Sequence, residues 1–519
     1  MSSRPDILLI TLDQFRGDSL SAIGHPCVRT PNLDALAADG VLFRNHYANC
    51  APCSPARASL LTGLYQMNHR VCRNGTPLDA RHATIATQAR AAGYDPLLFG
   101  YTDQSIDPRG VPADDPRLRT YEGIAPGFAV HTDMAEPSPL WREWLAARGV
   151  DLGAGVHDVF RPRGSGRPPA GPHREPPAFD ADSTETAFLT DRMIEHLSAR
   201  DAADGPTFLH VSQIRPPPPF VVPEPYNTLI EPAATPRPVR AASREAEAAQ
   251  HPYLAWELGR IKLSNYVYEA PGLGADMSDA AIATMRATYY GMIAEVDAQV
   301  GRAVAFLKET GRYDRTMIIV TSDHAEMLGD HRLLGKCGYF DAAYHIPLIV
   351  KPAGGTPTPG RVVEAFTEAV DLTPTVLEAA GAEVPPAMDG RSLMPFLEGG
   401  TPSTWRDAVH WEYDFREIGS TDVEDRLGLT VDTAQLAVLR DRDFKYVHFT
   451  GLPPLLFDLK RDPGELQDRA QDPEYASIRA DYAGRMLSWR MAHADRTLAG
   501  WSLVTPGGPT HVAPDRSGW

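Results

Sequence analysis

The sequence predicts an α/β fold: a large mixed, mostly parallel sheet sandwiched by helices, with a smaller C-terminal α+β subdomain. Three observations lead there. Short apolar runs alternate with longer segments of helical periodicity, the pattern of strands joined through helices. The 519 residues, 43% of them hydrophobic, are enough for a large buried core. From about residue 385 the texture changes to closely spaced strand-like pieces, which divides the chain into a main domain at 1–384 and a subdomain of antiparallel strands and a helical tail at 385–519.

The strands of the main domain are read from their apolar runs. In order they are ILLITLD after Asp6, LLFGY after Pro96, TFLHVS after Pro206, MIIVTSD after Thr316 and IPLIV after His345. Between the third and fourth, the stretch from Met285 to Gly311 repeats apolar residues at spacings of three and four, and Gly311 stops it. Two proline-rich stretches, Arg161–Pro177 and Arg215–Tyr226, lack the donors for helix or sheet and are expected as loops. The first is expected as a surface insertion. In the C-terminal part, FKYVHF from Phe444 and LLFDLKRDPGEL from Leu455 read as strand-like, and Glu474–Ala499 after Pro473 as a helix. There is no internal repeat.

Composition excludes several classes of function. A formal net charge of -17 argues against general binding to nucleic acid or anionic membrane, so an anionic substrate must be held by local cations. Five cysteines supply no disulfide framework and suit a reducing compartment. The N-terminal apolar run ends in an acid after a few residues, unlike a secretory signal. No segment reaches the roughly 18 apolar residues of a membrane span. The expectation is a soluble cytoplasmic protein.

Several strands end in reactive groups: Asp13-Gln14, Tyr101-Thr102-Asp103 and Asp323-His324. Ligands of open α/β sheets bind beyond the carboxyl ends of strands, so these residues are candidates for one site. Asp13, Gln14, Asp323 and His324 offer carboxylate, amide and imidazole donors, a mixed set suited to a divalent cation. Each alone is more often a cap or turn residue than a ligand; two adjacent pairs at matching strand ends bring the two readings nearly level. Cys50 and Cys53 form a Cys-x-x-Cys pair that spacing alone leaves open between redox, metal and structural roles. Cys53 differs in being followed by Pro55 and Arg57 and then by a helical run, which puts it at a helix N-terminus that favours an anion.

CSPARASLLTGLY resembles the signature of formylglycine-dependent sulfatases, in which the Cys of Cys-x-Pro-x-Arg is oxidised to an aldehyde. The resemblance runs through ILLITLDQFRGDSL, TPNLDALAADGVLFRNHYANC, EVDAQVGRAV, TSDHAEMLGDHRLLGKCGYFD, IPLIVK and LFDLKRDPGE. Asp13-Gln14, the GYTD segment and the tail SWRMAHADRTLAGW make it most similar to the bacterial phosphonate monoester hydrolase and dimeric arylsulfatase branch of the alkaline phosphatase superfamily. The resemblance implies an alkaline phosphatase-like fold and one divalent metal ion. It implies that Cys53 becomes formylglycine (3-oxoalanine), through a formylglycine-generating enzyme, and as its hydrate serves as nucleophile. Metal ligands by resemblance are Asp13, Gln14, Asp323 and His324, with an oxygen of residue 53. Arg57 is expected to hold the hydrate and neutralise the anion; with Cys53, Lys336 and His324 it makes up the catalytic set. Asn74, Tyr101, Asp103 and Lys336 match substrate-contact positions. His69, His331 and His345 lie near motifs but read as packing or surface residues.

Two positions depart from that branch. Pro217 stands in RPPPPF where a histidine is expected, and Asp103 where a threonine is expected. Proline cannot donate a proton, and Asp103 adds negative charge beside the anion pocket. Both changes point to a singly charged substrate with a good leaving group. The expected activity is aryl sulfate ester hydrolysis, with phosphonate monoesters and phosphodiesters as secondary substrates or, alternatively, as the main ones. A phosphoryl-transfer enzyme with an unmodified Cys53 thiol and a non-catalytic binding homologue are the readings from other classes. His324 favours Mn2+ over Ca2+ or Mg2+. Expected partners are a small anionic ester, the maturation enzyme and further copies of the chain in a homodimer or homotetramer.

Overall fold

A computed structural model describes residues 4–163, 169–201, 204–495, 497–504 and 506–512. Its main sheet has eight strands. In chain order they are β1 (Asp6–Leu12), β2 (Val41–Tyr47), β4 (Pro96–Gly100), β5 (Ala129–Asp133), β6 (Phe208–Gln213), β7 (Thr316–Thr321), β8 (Leu348–Lys351) and β9 (Arg361–Glu368), with β3 (Cys50–Ala51) belonging to a second sheet. The spatial order is β5-β4-β6-β1-β7-β8-β2-β9. Only β8 runs antiparallel to its neighbours, so the sheet is mixed and mostly parallel, as predicted.

All five predicted strands of this sheet exist; β1, β4 and β7 stop a residue or two before the predicted polar end, while β6 and β8 start later and run one residue further. The reason they are legible is burial: β1, β6, β7 and β8 are buried at every position. A strand covered on both faces must be apolar throughout. The edge strands β5 and β9 are part exposed, so they lack a continuous run and escape a reading based on one. Helices flank the sheet. Pro31–Asp39, Glu185–Ser198 and Asp279–Glu309 pack together, and so do Cys53–Thr62, Ile85–Ala91 and Leu372–Ala379. The long helix begins six residues before the predicted Met285, where the Ser278 side chain accepts from Ala281 N–H and caps it.

The second sheet has the order β13-β12-β11-β10-β3, formed by β10 (Val409–Asp414), β11 (Gln435–Arg440), β12 (Phe444–Phe449), β13 (Leu455–Asp458) and the early strand β3. Only the first four residues of the stretch from Leu455 are strand; beyond them the chain turns, and Glu465 pairs with the buried Lys445. The predicted terminal helix spans Ala476–His493, and a two-stranded hairpin of β14 (Trp501–Ser502) and β15 (Thr510–His511) follows. The loop from Arg161 carries no helix or strand among its described residues, and 164–168 lie outside them.

Because β4, β6, β1 and β7 are parallel neighbours, their carboxyl ends share one edge. Register places Thr11 beside both Ser212 and Thr321. The residues that follow each strand therefore converge, and there the site lies.

Candidate active site

Cys53 is delivered from a different direction. Asn49 is pinned by donating to His410 O (2.9 Å) and accepting from Val370 N–H (3.1 Å). β3 then pairs Cys50 with Glu412 and Ala51 with Tyr413, after which the buried helix Cys53–Thr62 begins at Cys53 itself. Cys53 stands at the helix N-terminus, as predicted. Cys50 points elsewhere, 3.2 Å from Ser59 Oγ, which is 3.0 Å from His69 Nε2.

Asp13, Cys53, Asp323 and His324 each bring one ligand atom to within 4.8 Å of the others, and all four are buried. His324 Nδ1 lies 3.2 Å from the Ala325 carbonyl, which can only accept; Nδ1 thus carries the hydrogen and Nε2 presents a lone pair, 3.3 Å from Cys53 Sγ. Burial pushes His324 down to about 3, keeping the ring neutral. Asp13 Oδ1 is buried without a hydrogen-bond partner among the described residues. An unpartnered carboxylate oxygen and an imidazole lone pair thus converge beside the Cys53 sulfur. That chemistry fits a divalent cation.

Arg57 lies beneath this cluster, 2% exposed. Its Nε donates to Asp323 Oδ2 (3.0 Å) and its Nη2 to Asp13 Oδ2 (3.0 Å), while Nη1 donates to Tyr101 O (3.1 Å) and Ser212 Oγ (2.6 Å). Asp103 Oδ2 is 3.3 Å from the same Nε. The guanidinium is committed to three carboxylates and is absent from the residues lining the cleft. Its place is that of a counter-charge holding Asp13 and Asp323 in position, in contrast to the anion contact expected from sequence. Asp103 differs from expectation too. Its carboxyl is paired with Arg57, so it does not stand as the bare charge the sequence suggested; burial pushes its pKa well up despite that guanidinium.

Gln14 has a left-handed backbone (φ 62°), fixed by its N–H to Asp323 Oδ1 (3.1 Å) and by Tyr289 OH donating to its carbonyl (2.8 Å). Lys336 Nζ donates to Gln14 Oε1 at 2.8 Å. Burial works against the Lys336 ammonium, but Cys53, Asp13 and Asp323 outweigh it and push its pKa up. Tyr101 reaches Asp13 Oδ2 through its hydroxyl (3.4 Å). Asn74 stands behind residue 53, its Oδ1 accepting from Ser54 N–H (3.0 Å), and is not part of the cleft lining. The thiol of Cys53 is itself pushed well up by burial, with Asp13, Asp103 and Asp323 adding to it and Lys336 offsetting only part.

The cleft above these groups holds about 500 Å³. Asp13, Gln14, Cys53, Tyr101, Asp103 and Lys336 form its floor, and Tyr121, Met134, Phe160, Pro217 and Tyr268 are among its walls. The second proline-rich loop is thus a wall of the cleft. Sequence reasoning missed Glu326, which accepts from Gln14 Nε2, and Ser212 under Arg57. Both had a signal: Glu326 lies in SDHAE beside the ligands, and Ser212 ends a predicted strand. Tyr121 and Tyr268 sit in irregular segments with no pattern to find. His69, His331 and His345 do not line the cleft; they contact Ser59, Glu247 and the Arg44 carbonyl.

Comparison with known proteins agrees with this geometry. The sulfatase family model matches residues 5–382, and the model for the C-terminal part of N-sulphoglucosamine sulphohydrolase matches 329–492. The multifunctional alkaline phosphatase superfamily protein PehA of Trinickia caryophylli is 44% identical over 96% of this chain and 97% of its own. An arylsulfatase of Clostridium perfringens is 28% identical over 93% of this chain and 94% of its own. The solved structure of the phosphonate monoester hydrolase of Agrobacterium radiobacter superposes with a TM-score of 0.95 at 51% identity, covering 98% of this chain and all of that one. With the first strand, Cys53 and the Asp323-His324 pair all inside the matched span, this chain belongs to the sulfatase family of the alkaline phosphatase superfamily.

Proposed function

We infer that this member of the family hydrolyses singly charged esters, phosphonate monoesters and phosphodiesters first and aryl sulfates second. The observation that carries this reading is the partition of cations at the floor of the cleft. Arg57 is committed to Asp13, Asp103 and Asp323, whereas Lys336 forms no ion pair at 4 Å or less among the described residues and bonds the neutral amide of Gln14 and the Cys53 sulfur at the floor of the cleft. One ammonium and one cation site suit an ester with a single negative charge. Sequence alone put aryl sulfates first. Two features reverse that order: Pro217 gives an apolar wall where a nonbridging oxygen would want a donor, and aromatic side chains line the cleft beyond the floor. A phosphonate or diester carries a second organic substituent that such walls can cover, which a sulfate monoester lacks. The likeness to solved phosphonate monoester hydrolases, at 51% and 43% identity, supports the same order.

A divalent cation on Asp13, Gln14, Cys53, Asp323 and His324 would supply Lewis acidity at a substrate oxygen, with Mn2+ favoured by the imidazole nitrogen. An aldehyde made from Cys53 would supply, as its hydrate, the nucleophilic hydroxyl. The chain's own contributions are positional. The helix N-terminus at residue 53 favours an anion, Lys336 holds an ammonium over the floor to offset charge on a nonbridging oxygen, and Arg57 fixes the carboxylates from below.

The test is a pair of catalytic efficiencies. kcat/KM for 4-nitrophenyl phenylphosphonate is expected to exceed that for 4-nitrophenyl sulfate at least tenfold; the opposite ratio puts sulfate esters first. Peptide mass spectrometry across residue 53 of the same active preparation is expected to show the aldehyde. An intact thiol in fully active protein would sink that part of the reading.

A further inference from the structure

Glu326 is fully buried and sits two residues beyond His324. One of its oxygens, Oε1, accepts from the backbone N–H groups of Leu328 (3.0 Å) and Gly335 (2.6 Å). The other accepts from Gln14 Nε2. Gln14 Oε1 in turn accepts from Lys336 Nζ at 2.8 Å. A carboxylate ligated in this way only accepts and an ammonium only donates, so the amide of Gln14 has a single allowed orientation: nitrogen to Glu326, oxygen to Lys336 and the cleft. Two amides of the loop that carries Lys336, or lead into it, hang from the same carboxylate. One side chain therefore fixes both the polarity of a cation donor and the position of the ammonium beside it.

We propose that Glu326 is the positioning residue of this site, acting through Gln14 and the Gly335-Lys336 backbone to aim a carbonyl oxygen, and not an amide nitrogen, at the cation position. The proposal rests on the reading of Asp13, Gln14, Cys53, Asp323 and His324 as cation donors. Outer partners that orient ligands change metal affinity by about 10–100-fold when altered.

Binding of Mn2+ to metal-stripped, full-length protein, followed by isothermal titration calorimetry, tests it without turnover. Glu326→Asp keeps the charge but withdraws the carboxylate by one methylene, so it cannot reach Gln14 and the loop amides together. Its affinity for Mn2+ is expected to fall about tenfold or more, with the metal-free fold intact by circular dichroism. The double exchange Glu326→Gln with Gln14→Glu reverses donor and acceptor across the pair. It leaves an acceptor facing Lys336 and is expected to bind Mn2+ within about threefold of the native chain, whereas Glu326→Gln alone sets two amide nitrogens against each other and is expected to bind weakly. Native affinity in Glu326→Asp overturns the proposal, because charge alone would then suffice. A double exchange as weak as Glu326→Gln also overturns it. Should either single variant fail to fold, the double exchange decides by the same criterion. Failure of the native chain itself to bind Mn2+ removes the cation site, a different result from any of these.

Discussion

Asp13 and Asp323 are the same residue type at the ends of adjacent parallel strands, and their surroundings drive them apart. Asp323 is buried, but His324, Arg57 and Lys336 and the Gln14 N–H hold it down to about 2. Asp13 shares Arg57 and yet keeps an oxygen with no donor; burial, and then the charge of Asp323, push it up to about 6. The consequence for stability has a definite sign. Between the ordinary 3.8 and about 6 the folded, metal-free chain holds a proton on Asp13 that the unfolded chain has released. Stability from this group is complete below 3.8 and is lost as pH rises through 6. A cation at the site replaces that proton, so Mn2+ should stabilise the fold more at pH 7 than at pH 5, by a free-energy difference on the order of 1–3 kcal/mol that shows as a larger rise in melting temperature. Asp13→Asn should abolish the pH dependence. Thermal melts of both proteins with and without Mn2+ check this; a cation effect that is equal at the two pH values refutes it.

Secondary-structure elements bring these residues together through a few close backbone approaches. Gly100 ends β4 with φ +115°, and a Cβ there would run into the Ser212 carbonyl of β6. Ser212 Oγ is the 2.6 Å partner of Arg57, so the same strand ends that form the sheet also support the counter-charge. Gly100→Ala should cost about 2–4 kcal/mol through backbone strain and the clash, and should weaken Mn2+ binding by displacing Ser212 and, with it, Arg57. An unchanged melting temperature by calorimetry would contradict it. The elements themselves were unevenly legible in sequence. Central strands such as β1 and β7 are covered on both sides and had to be continuous apolar runs, while edge strands β5 and β9 mix exposed and buried positions and gave no run to read. β3 is two residues long, and nothing local to Cys50-Ala51 records that it pairs with β10 some 360 residues later.

At the scale of the whole molecule, the floor of the site was legible because parallel strand order collects strand ends, whereas the walls come from irregular chain whose packing has no local signature. The same asymmetry leaves the C-terminal tail to be explained. Leu487 and Met491 on the last helix, then Leu498, Trp501, Leu503, Val504 and Val512, are each at least half exposed. So many large apolar side chains within 26 residues exceed what an isolated surface keeps in water and mark a face for association. We expect a second copy of the chain as the occupant, giving the dimer or tetramer anticipated from sequence. Truncation after Asp495 should therefore give a monomer in sedimentation velocity experiments while kcat per chain stays near native, since among the described residues none lining the cleft lies beyond Lys336. Salt should act with the sign set by charge. Each copy carries -17, so long-range repulsion opposes assembly. Raising salt from about 0.02 to 0.3 M shortens the screening length from roughly 20 Å to 6 Å. Association driven by apolar contact should then tighten, where association through ion pairs would loosen. Sedimentation of the full chain as a monomer at every salt concentration, or of the truncated chain as an unchanged oligomer, would rule out the tail as the assembly element.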